Sequence, residues 1–83
     1  MHNVLIVFAS VTTANRVKSV LKKKFGIESD VIRAPSALSM SGCSYAVRLS
    51  SEFLEPAWNL VMQSGLSSKG AYREDNMNAV KQG

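Results

Sequence analysis

Cysteine and histidine each occur once in these 83 residues, as Cys43 and His2. A single thiol excludes an internal disulfide and any multi-cysteine metal centre. One Cys and one distant His cannot assemble a zinc site, so neither a metal nor a resident cofactor is expected. A Cys–His hydrolase is disfavoured as well, because His2 precedes the first predicted strand and belongs at the opposite edge of the sheet from Cys43. No G-x-G-x-x-G occurs, and Gly65 and Gly70 lack the context of a phosphate-binding loop. The longest apolar run, Val4 to Ala9, is six residues; a membrane span needs about 20. One thiol and no recognisable signal peptide point to a reducing, cytoplasmic setting.

Charged residues are 19% of the chain and apolar ones 46%, which favours a packed core over disorder. The formal net charge is +4, and half of the ten basic residues (Arg16, Lys18, Lys22, Lys23, Lys24) fall on one predicted helix. Such a block usually just solvates a helix face; the functional alternative is a patch facing an anion.

Val4–Ala9 has the composition of a buried strand. Ser10, Thr12 and Thr13 offer N-caps to a helix whose apolar positions Ala14, Val17, Val20, Leu21 and Phe25 recur at helical spacing, and Gly26 supplies the stop. A second strand is expected over residues 30–34, ended by Pro35, then a Ser/Gly-rich turn holding Cys43, then a third strand over 45–49. A second helix with Pro56 in its first turn runs to about Ser64, and a last short strand spans 70–73. The order β-α-β-β-α-β implies an α+β, ferredoxin-like sandwich: a four-stranded antiparallel sheet in order 4-1-3-2, with two helices on one face. Residues 1–75 form the single domain, and residues 76–83 are expected to be a frayed polar tail.

This topology places Cys43 near the N-terminus of the first helix, where free N–H groups and the helix dipole lower a thiol pKa. Ser10, Thr12, Thr13, Ser41, Gly42, Ser44 and Lys69 are expected to form the surroundings of the thiolate. Against this stands the common case of a lone cysteine as a small buried hydrophobe. A second surface is expected on the sheet face away from the helices. There Leu5, Val7 and Ala9 would make an apolar centre flanked by Arg33, Arg48 and Arg73, suited to self-association or to an anionic partner. Nucleic acid is disfavoured: the aromatics of the first and third strands, Phe8 and Tyr45, belong to the core side, and an RRM stacks bases on exposed ones.

The stretch from Pro35 to Arg48 resembles a family of short bacterial proteins, the selenium/sulfur carrier-like family. Its members have a strand ending in Ser or Thr, a helix, a proline, a serine, a Cys-Gly-containing turn, and then a small residue and Arg. Ser10, Pro35, Ser39, Cys43, Ala46 and Arg48 match that pattern, and the resemblance covers roughly Val4 to Tyr72. Ser44 stands where glycine follows the family's cysteine, and Ser36 stands where a basic residue often follows the proline. The resemblance implies a ferredoxin-like fold and a carrier, rather than a turnover enzyme, that holds sulfur or selenium on Cys43 as a persulfide or selenosulfide. Donor and acceptor proteins would then be its partners. The alternative is a non-catalytic interaction module, dimeric or docked through the open sheet face, in which Cys43 is structural.

Overall fold

The computed structural model describes residues 2–35 and 44–81. Its elements run β1 (Asn3–Phe8), α1 (Val11–Phe25), β2 (Asp30–Arg33), β3 (Tyr45–Ser50), a 3-10 turn (Ser51–Phe53), α2 (Leu54–Gln63), β4 (Gly70–Arg73) and β5 (Ala79–Lys81). The strands form one antiparallel sheet in the order β2-β3-β1-β4-β5.

The expected order of the first four strands is thus present, read from the other edge. The expected count of four is corrected to five among the described residues. The additional strand lies within the polar stretch after residue 75, where Ala71 pairs with Lys81 and Tyr72 with Ala79. A turn brings it back: the Met77 N–H donates to the Arg73 carbonyl at 2.8 Å, and Met77 takes a left-handed φ of 59°.

Val4, Leu5, Ile6, Val7 and Phe8 are all buried because β1 lies at the centre of the sheet with both faces covered. Alternation sends Val4, Ile6 and Phe8 into the larger core, against Ala14, Val17 and Leu21 of α1 and Ala57, Trp58 and Val61 of α2. Both helices therefore pack on the same side. Leu5 and Val7 point the other way, into a smaller cluster with Ala34 and Ala46, against which Ile32, Tyr72 and Met77 pack.

Both ends of α1 follow their local chemistry. Ser10 is extended (φ −128°), and its Oγ accepts the Thr12 N–H at 3.1 Å. Gly26 closes the helix at φ 66°, its N–H reaching back to Lys22, while Lys22, Lys23 and Lys24 sit at the negative end of the dipole. Removing the cap in Ser10→Ala should lower stability by about 1 kcal/mol in urea unfolding. In α2, Pro56 falls in the first turn, where its missing N–H is not needed.

Candidate functional site at the β1–α1 edge of the sheet

Three segments meet where β1 ends. Phe8 pairs with Tyr45, so β3 begins there, and Val7 pairs with Gly70, so β4 begins beside it. The N-terminus of α1 lies at the same edge, three residues beyond Phe8 in the chain. Backbone groups tie the edge together. The Lys69 N–H donates to the Val7 carbonyl at 2.8 Å, and the Ser68 hydroxyl donates to the same carbonyl at 2.9 Å. The Ala34 N–H donates to the Ser44 carbonyl at 2.9 Å, which joins the exit of β2 to the entry of β3.

Ser44 is completely buried, although it is polar and stands at the start of a strand. Its hydroxyl is satisfied by Lys69, whose ammonium donates to Ser44 Oγ at 3.1 Å. Removing a buried hydroxyl from water without a partner is costly, and a charge-assisted bond is among the stronger ways to offset that cost. β3 and β4 do not pair with each other, since both flank β1. The Lys69–Ser44 bond therefore crosses the end of the central strand. It holds a positive charge against the residue that follows Cys43 in the sequence.

Of the residues expected around the thiolate, Ser10, Thr12, Thr13, Ser44 and Lys69 lie at this one edge. Ser10 is engaged as the helix cap, and Lys69 and Ser44 are bonded to each other. Cys43, Ser41 and Gly42 fall outside the described residues. Ser68 was not anticipated; its only sequence signal is its place beside Lys69 in the loop leading to β4. His2 lies at the far edge, where its carbonyl accepts the Ser51 N–H at 2.8 Å and its Nδ1 is 3.1 Å from Asp75 Oδ2.

The arginine-flanked sheet face takes a different form from the one expected. Arg48 pairs with Leu5 across the sheet and so faces away from the helices, as alternation implies. Arg33 is opposite Tyr45, and Arg73 is opposite Val4; both partners belong to the helix side, so those two arginines do too. The three do not share a face. Arg48, moreover, is already committed to acids. Its Nη1 lies 3.3 Å from Glu74 and its Nη2 lies 3.3 Å from Asp30. The hydrogen bond to Glu74, then that to Asp30, raises its pKa above the ordinary arginine value. Nor is the apolar centre bare: Leu5 and Val7 are wholly buried within the chain, and Ala9, beyond the strand end, is exposed. The patch on which sheet-to-sheet self-association was argued is therefore covered. Arg73 instead engages Asp75, and that hydrogen bond is the main cause holding the Asp75 carboxyl below its usual pKa.

Phe8 and Tyr45 both pack on the helix side, as strand alternation implies. Among the described residues there is no group of three or more His, Cys, Asp or Glu able to hold a metal ion. No helix among them is long and apolar enough to cross a membrane. The chain matches the family described as "Putative Se/S carrier protein-like" over residues 3–73. Neither the comparison with curated proteins nor that with solved structures found a match.

Proposed function

This chain belongs to the Se/S carrier-like family, and from that premise we propose that it carries sulfur or selenium on Cys43 within a ferredoxin-like fold. The observation that supports this reading best is the Lys69–Ser44 contact, which fixes a cation at the residue next to the thiol. A nearby ammonium favours the thiolate over the thiol, and the thiolate is the nucleophile. The capped N-terminus of α1 opens at the same edge and adds the positive end of its dipole.

The transfer itself needs no cofactor. The Cys43 thiolate attacks the terminal sulfur of a donor's persulfide, R–S–SH. The new Sγ–S bond forms as the donor's S–S bond breaks, and the donor leaves as its thiolate, R–S⁻. The proton stays on the transferred sulfur, and the thiol–persulfide pair is exchanged without net oxidation. A selenium atom on the donor's cysteine would move by the same displacement. An acceptor thiolate then repeats the step on Cys43–S–SH. Both partners are proteins in this reading, as membership of a carrier-like family suggests.

The test is the pH dependence of Cys43 alkylation by iodoacetamide. The midpoint should fall below the value of about 8.5 typical of a free cysteine. In Lys69→Gln it should move up by about one pH unit, as removal of a nearby charge does. An unshifted midpoint, or a folded protein that takes no label, would sink the carrier reading. It would favour the interaction module, in which Cys43 is structural.

A further inference from the structure

On the helix side of the molecule a cleft of about 220 Å³ opens between α1 and α2. Its walls are Val17, Val20, Leu60 and Leu66, with Arg16 and Ser64 at the rim. Helical spacing puts Lys23 and Lys24 on the same flank of α1 as Arg16 and Val20, one to two turns further on. All three cations are exposed, and α1 contains no acidic residue at all. Among the described residues, no ion pair engages Arg16, Lys23 or Lys24; on this helix only Lys22 is paired, with Glu28.

We infer that this cleft is a docking site for an acidic segment of a partner protein, which seats one apolar side chain between the helices while its carboxylates meet Arg16, Lys23 and Lys24. Three features select that occupant. The cleft is smaller than the roughly 300–1,000 Å³ of small-molecule sites, so it suits a single anchoring side chain better than a cofactor. Its walls are aliphatic, with none of the aromatic rings on which nucleic acids stack. Ala14, Val17 and Leu21 of α1 lie in the core, and its exposed apolar residues, Val11 and Phe25, stand at opposite ends of the helix, so it lacks the broad, continuous apolar face of a membrane-surface helix. Charge complementarity of this kind raises association rates and discriminates between partners.

The inference does not rest on thiol chemistry, and the experiment is run on Cys43→Ser protein, so it fails or succeeds apart from the carrier reading. The probe is a synthetic peptide with one leucine flanked by glutamates, titrated into isotope-labelled protein and followed by backbone amide shifts. Shifts should centre on Val17, Val20, Leu60 and Leu66. The same peptide with serine for leucine should bind about tenfold more weakly, the scale of one buried apolar side chain. The triple variant Arg16→Glu/Lys23→Glu/Lys24→Glu should lose at least about tenfold as well. Equal binding by the serine peptide or by the triple variant would overturn the proposal. So would stronger competition from oligouridylate or from phosphatidylglycerol vesicles, which would assign the cations to nucleic acid or lipid instead.

Discussion

Cys43→Ser is expected to abolish persulfide loading outright. Incubated with a cysteine desulfurase and cysteine, the native chain should gain the mass of one sulfur atom, released again by a thiol reductant. The serine variant should gain nothing, because a hydroxyl near neutral pH is neither ionised nor able to hold sulfane sulfur as a thiolate does. Circular dichroism and thermal unfolding on the same samples separate loss of chemistry from loss of fold. Loading that persists in Cys43→Ser would end the carrier reading, since the chain has no second thiol to receive the atom. Lys69→Gln should behave differently: slower loading at neutral pH, with recovery as the pH is raised. That outcome distinguishes a charge acting on the thiolate from a merely structural lysine.

Phe8→Ala should produce the largest change in stability. The ring is fully buried at the end of the central strand, where it packs with both helices into one cluster. Large-to-small changes at such sites cost about 3–5 kcal/mol, because the transfer term adds to the cavity left behind. Small domains possess only about 5–15 kcal/mol in total, so much of the variant should be unfolded at 37 °C. Urea denaturation followed by the fluorescence of Trp58, itself in the same core, would measure the loss. A shift under about 1 kcal/mol would mean that the helices can collapse into the space.

What the sequence made legible was local or nearly so. Ser10, Gly26 and the apolar spacing of α1 all act within a few residues of where they stand, and each agrees with its neighbours. The placement of Lys69 at the β1–α1 edge was legible too, because β4 must begin where β1 ends. Its bond to Ser44 was not, because side-chain pairing across a sheet depends on register. Register also explains the misplaced arginines. Alternation fixes faces within one strand, but the phase between strands is set by pairing, and a one-residue difference inverts every side chain. Arg33 and Arg73 fell on the other side for that reason. β5 escaped because three residues inside a polar stretch carry no period of their own. They are strand because the turn through Met77 brings them against β4.

The Lys69–Ser44 bond lies across the end of a strand that precedes both of its neighbours in the chain. On a ribosome β1 emerges before either of its neighbours, and it is flanked on both sides only once β4, more than sixty residues later, has followed β3. Domains that depend on such distant pairings fold slowly and expose their central strand meanwhile. The edge where Lys69 meets Ser44 is among the last places to assemble during synthesis. The cation that the carrier proposal relies on therefore meets Ser44 only once β3 and β4 have both closed on β1.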